Sequence, residues 1–178
     1  MTTSYDKIGN GGNNGGLSAE QFSWFRAELA AHADEPTLVL GHHPLTVADT
    51  IVNTEPVVFD MNPQQAREIR ELYAKTPGVF FHHAGHTHRN YRTSSLVAPN
   101  VTFQEVGATK EYRAASACCG VHEGGYALNF YKSRGELAGE WSERTRQEYF
   151  GLFPFYTAGT VGDRNYMVRR DMSGLRAA

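Results

Sequence analysis

Cysteine is scarce in this chain of 178 residues: only Cys118 and Cys119 occur, and they are adjacent. A disulfide framework needs more and better-spaced cysteines, and neighbouring residues bridge only with strain. The pair is therefore expected as two small buried side chains, a usage compatible with a reducing, cytoplasmic setting. Excess charge of one sign is also lacking. Seventeen Lys and Arg stand against nineteen Asp and Glu, for a net charge of −2. That balance leaves no footprint for nucleic acid, though a small phosphate-bearing substrate responds to local fields rather than totals. No apolar run approaches the ~20 residues that cross a bilayer, so no membrane partner is expected. The first residues, "MTTSYDKIGNGGNNGG", have neither the basic start nor the apolar middle of a signal peptide.

Residues 9–16 contain only Gly and Asn, and 1–17 reads as a flexible loop. A helix is then expected over 18–32. Ser18 and Gln21 form a capping box, Leu17 and Phe22 its hydrophobic staple, and Phe22, Phe25 and Leu29 repeat at helical spacing. Thr37–Leu40 is a short apolar run, expected as a strand buried on both faces. It stops at Gly41-His42-His43-Pro44. Residues 45–61 read as a loop with some extended character. Asn62 as cap and Pro63 at the first position open a second helix, and Val79–Phe81 is a second strand. A crossover helix of that length implies parallel neighbours. "VTFQEVGATKEY" and "GGYALNFYKS" suggest antiparallel strands, and "ELAGEWSERTRQEYF" a further helix. The tail is aromatic and then basic.

Two histidine clusters follow the two parallel strands: His42-His43, and His86 with His88 inside "GHTHR". Open α/β sheets gather ligand sites at the carboxyl edge of their strands. In extended backbone, His86 and His88 would face one side and Thr87 the other. Neutral imidazole suits several divalent metals. His82 and His83 read as strand residues, one inward and one outward.

"TLVLGHHPL" followed by "GVFFHHAGHTHRN" resembles the second half of the calcineurin-like metallophosphoesterase family, and "LSAEQFSWFRAEL" is similar to the segment that precedes it there. The likeness covers roughly residues 6–110. Residues 111–178 look like a continuation with a C-terminal extension seen in some bacterial members. The resemblance implies an α/β fold: part of an α/β/β/α sandwich, with 1–110 the C-terminal half of the domain and 111–178 a β-plus-helix extension. It implies hydrolysis of a phosphoric ester, a phosphodiester or phosphomonoester, by a hydroxide bridging two divalent ions such as Mn, Fe or Zn. His42, His86 and His88 would be metal ligands. His43, Arg89 and Asn90 are candidates for contact with substrate or for supporting the ligands.

The family's earlier motifs, Asp-x-His, Gly-Asp-x-x-Asp and Gly-Asn-His, do not precede these histidines. Gly162-Asp163 begins like the second motif but lacks its other Asp, and reads as coincidence. Two divalent ions ~3.5–4 Å apart repel by ~4 kcal/mol in water and ~16 kcal/mol at an effective dielectric of ~20. Carboxylates offset that repulsion; three neutral imidazoles do not. The family's proton donor is absent with the same motifs. The chain is therefore expected to be inert alone, a truncated remnant or one half of a split protein that pairs with a complementary N-terminal half. A mononuclear zinc hydrolase would need a base, for which Asp49, Asp60 and Glu105 are the candidates.

Overall fold

The computed structural model describes residues 4–5, 15–45, 62–112 and 114–173. The expected loop at 45–61, with Asp49 and Asp60, lies almost wholly outside them. Strands β1 (Ser4–Tyr5) and β2 (Gly15–Gly16) pair antiparallel, so the last two residues of the Gly/Asn segment carry backbone pairing. Helix α1 spans Ala19–Ala31. Ser18 Oγ accepts from Gln21 N and Gln21 Oε1 accepts from Ser18 N, at 3.2 and 3.0 Å, which completes the capping box. Phe25 and Leu29 turn into the core with Leu17, and Phe22 packs against it.

Strand β3 (Thr37–Leu40), helix α2 (Pro63–Ala74) and strand β4 (Val79–Ala84) follow. Asn62 Oδ1 caps α2 by accepting from Gln64 and Gln65 N–H. β3 and β4 are parallel, with Val39 opposite His82 and Leu40 opposite His83. β4 runs three residues beyond the expected Val79–Phe81 and takes in His82 and His83. β5 (Tyr91–Ser94) and β6 (Thr102–Glu105) complete a sheet of order β3-β4-β6-β5. Here β3 is an edge strand and not a strand buried on both faces. Val39 is buried, while Leu40 is 55% exposed, because β4 is the one neighbour it has among the described residues.

A second sheet, of order β7-β8-β9, uses Ala115–His122, Gly125–Lys132 and Tyr166–Arg169. Between β8 and β9 lie α3 (Glu136–Thr145), a 3-10 turn at Glu148–Gly151, α4 (Phe153–Ala158) and α5 (Val161–Arg164). β7 pairs with β8 over eight positions. Cys118 is exposed and Cys119 half-buried, both as free thiols. The expected burial fails because nothing described packs over Cys118 on its outward face. Asp163, in the segment read as coincidence, caps α5. It accepts from Thr160 N and Oγ1 and from Arg92 N–H. Burial alone would raise its pKa, but those hydrogen bonds hold it below the usual carboxylate range.

The chain divides into two compact units: residues 1–86 with 93–103, and residues 87–92 with 104–178. The core of the first gathers Ala66, Ile69 and Tyr73 from α2, Val79 from β4, and Ala98, Val101 and Phe103. The second buries Ala115, Tyr126, Leu128 and Phe153. Among the described residues no helix is long and apolar enough to cross a membrane.

Candidate functional site

The first unit brings His42, His43 and His86 together. One ring nitrogen from each lies within 4.8 Å of the others. The local cause is a pair of backbone hydrogen bonds that extend the parallel ladder past the strand ends. Gly41 N donates to His83 O, and Gly85 N donates to His42 O, both at 2.9 Å. The two loops after β3 and β4 are thereby tied side by side. His42 Nε2 lies 3.2 Å from His86 Nδ1. The ring centroids are 5.0 Å apart for His42 and His43, 5.1 Å for His42 and His86, and 4.3 Å for His43 and His86. His42 is exposed and His43 buried. Gly15 passes directly against the His43 ring, where any Cβ would overlap it.

The donor set fits a single divalent ion. Two nitrogens on one tetrahedral ion, each ~2.0–2.1 Å from it, lie roughly 3.3 Å apart, close to the His42–His86 spacing. The cluster contains no carboxylate, so nothing in it offsets a second ion. His43, expected as a neighbour of the ligands, sits within the cluster itself.

The backbone at His86 and His88 is not extended. Both have positive φ, 61° and 57°, in the left-handed region that non-glycine residues seldom adopt. The expected alternation of side chains along 86–88 therefore does not hold. The surrounding contacts impose this conformation, and strain of this kind collects at functional loops.

His88 belongs to the second unit. Its Nδ1 lies 2.8 Å from Glu111 Oε1. Thr87 Oγ1 donates to Glu105 Oε2 at 2.6 Å. Arg89 grips the same carboxylate with Nε and Nη2, at 2.7 and 3.0 Å. Both members of that ion pair are 11% exposed. The Arg89 guanidinium also lies over the rings of Tyr91 and Tyr156, at 4.4 and 5.7 Å. Asn90 is buried, donates to Thr157 O and accepts from Gly107 N. Both side chains, expected to contact substrate or to support the ligands, are engaged in these contacts within the second unit. Glu105, read as a candidate base, is the acceptor that Thr87 and Arg89 share.

His82 points inward and is fully buried, with Nδ1 2.8 Å from Tyr73 Oη. Burial pushes its pKa down to about 3 and raises that of the Tyr73 phenol. His83 is half-buried, and burial lowers its pKa as well. Glu111 and the Tyr73–His82 pair escaped the sequence reading. Glu111 stands 23 residues from His88, a separation with no local periodicity to betray it.

The architecture is a mixed α/β fold of parallel and antiparallel sheets with helices. Among solved structures it is similar to a dimetal phosphatase from Danio rerio, with a TM-score of 0.52 at 18% identity, over 67% of this chain and 37% of that one. This chain thus spans little more than a third of that neighbour's length, and the likeness is one of fold. No protein-family model matches the chain, and no curated protein matches it in sequence.

Proposed function

We propose that this chain carries the imidazole part of the site of a metal-dependent phosphoric ester hydrolase. The carrying observation is the 3.2 Å approach of His42 Nε2 to His86 Nδ1 beyond the ends of two parallel strands. The fold shared with a dimetal phosphatase supports it. His42 and His86 bind a divalent ion, Mn, Fe, Zn or similar, and His88, two residues after His86, is a metal ligand by the motif order. Such an ion supplies a Lewis acid to a phosphoryl oxygen and acidifies water. His43, backed by Gly15, fills the space beside the two ligand rings and limits how they turn. Imidazole ligates only when neutral, so acid weakens the site. The substrate class is a phosphodiester or phosphomonoester.

A second reading is favoured by the absence of carboxylates from the described cluster. The chain is then an inactive remnant, or a binding module that pairs with a complementary N-terminal half. One preparation tests both. Metal content by plasma mass spectrometry after dialysis against Zn²⁺ or Mn²⁺ is expected at about one ion per chain, lost in His42→Ala and His86→Ala. Hydrolysis of a chromogenic phosphodiester with Mn²⁺ is expected to be weak or absent until the carboxylate-bearing half is supplied. A chain that retains no ion at micromolar metal sinks the hydrolase reading, and turnover by the chain alone that His88→Ala abolishes sinks the second.

A further inference from the structure

We infer that Glu111 is a positioning residue for His88: it fixes the ring proton on Nδ1 and leaves Nε2 as the nitrogen offered to a ligand. The inference deepens the hydrolase reading, and rests on it only in naming a divalent metal as that ligand. A carboxylate oxygen accepts and an imidazole N–H donates, so the 2.8 Å contact between Glu111 Oε1 and His88 Nδ1 requires the proton at Nδ1. The burial of the two partners differs in a telling way. The Glu111 side chain is 11% exposed and that of His88 is 37% exposed. The acid is thus the fixed, enclosed partner, and the ring is the one with surface to offer. Lys110 Nζ lies 3.7 Å from the same Oε1. Glu111 Oε2 is buried with no hydrogen-bond partner among the described residues.

Enclosing a carboxylate costs free energy unless it is paired, and among the described residues the short contact the Glu111 carboxylate makes is to His88. Metal-binding histidines commonly donate their second ring N–H to a carboxylate in this way, which sets the tautomer and ring orientation. The backbone agrees, since His88 is held at positive φ and its neighbours Thr87 and Arg89 are both anchored to Glu105. Each of the three residues that follow His86 therefore has a carboxylate partner, and of the three His88 is the one that carries an imidazole.

The test is long-range ¹H–¹⁵N correlation of ring-labelled histidine in the full chain near pH 8, with the His88 signal assigned by its loss in His88→Asn. The expected result is the Nδ1–H form at His88, giving way to a mixture in Glu111→Ala while far-UV circular dichroism stays the same. Zn²⁺ affinity, read by competition with a chromogenic chelator, is expected to fall about 10- to 100-fold in Glu111→Ala and less in Glu111→Gln, whose amide oxygen still accepts. Should Glu111→Ala fail to fold, Glu111→Gln carries the same comparison through its altered tautomer ratio. An Nε2–H form in the unsubstituted chain overturns the inference, as does a tautomer ratio that no Glu111 variant changes. A chain that binds no Zn²⁺ in any form removes the hydrolase reading and leaves the tautomer to decide this one.

Discussion

The two units treat their histidines in opposite ways. In the first, His42, His43 and His86 meet one another with no acid among them, and His82 is buried against a phenol. In the second, His88 and Arg89 each meet a carboxylate. The first arrangement groups three imidazoles, a donor type that suits several divalent metals. The second fixes direction: a carboxylate selects one nitrogen of a ring and locks a guanidinium in plane.

The sharpest way to break this comparison is at the Arg89–Glu105 pair. Glu105→Ala removes the carboxylate from a mostly buried guanidinium and is expected to cost ~3–5 kcal/mol. Urea unfolding would measure it, and a loss below about 1 kcal/mol, the range of exposed pairs, would mean the pair is effectively solvated. The next test is acid. His82 stays neutral in the fold down to about pH 3, whereas in the unfolded chain it takes up a proton near pH 6.5. The unfolded state therefore binds more protons across that window, and stability falls as pH drops from about 6.5 toward 3, by an amount on the order of a few kcal/mol. Thermal melts across that range are expected to show a shallower fall in His82→Leu, and an unchanged slope would refute the assignment.

A smaller effect is expected at the partner of His82. Tyr73→Phe leaves the buried Nδ1 unpaired at a cost of about 1–3 kcal/mol, measurable as a lowered urea midpoint with unchanged slope. The smallest concerns backbone. His86→Gly removes a side chain from a positive φ and is expected to stabilise the metal-free chain by up to about 1 kcal/mol, while metal binding is lost. If that variant is less stable than its parent without metal, the ring contacts of His86 outweigh the strain.

Legibility in the sequence followed the range of the interactions. The start of α1 was readable because Ser18 and Gln21 cap it locally, and that of α2 because Asn62 and Pro63 stand at its head. The run β3-α2-β4 was readable from length and apolar pattern, which set His42 and His86 on one edge. β7 was not, because "ASACCGVH" has no alternation; its strand exists through an eight-position register with β8. β9 lay hidden in a tail that looked merely aromatic and basic, for the same reason. The exposure of Leu40 and Cys118 depends on which neighbours cover a strand, and no local pattern states that.

What the sequence determined by itself was the chemistry available: imidazoles after two strands, with glycine beside them. Capping and periodicity act within a few residues, so they are written where they act. What the tertiary structure alone decided was the geometry of use. It set the left-handed turns at His86 and His88, brought His43 in among the ring cluster, and matched Glu105 and Glu111 to the loop. These depend on contacts between residues far apart in the chain, whose energies appear only when the chain has closed on itself.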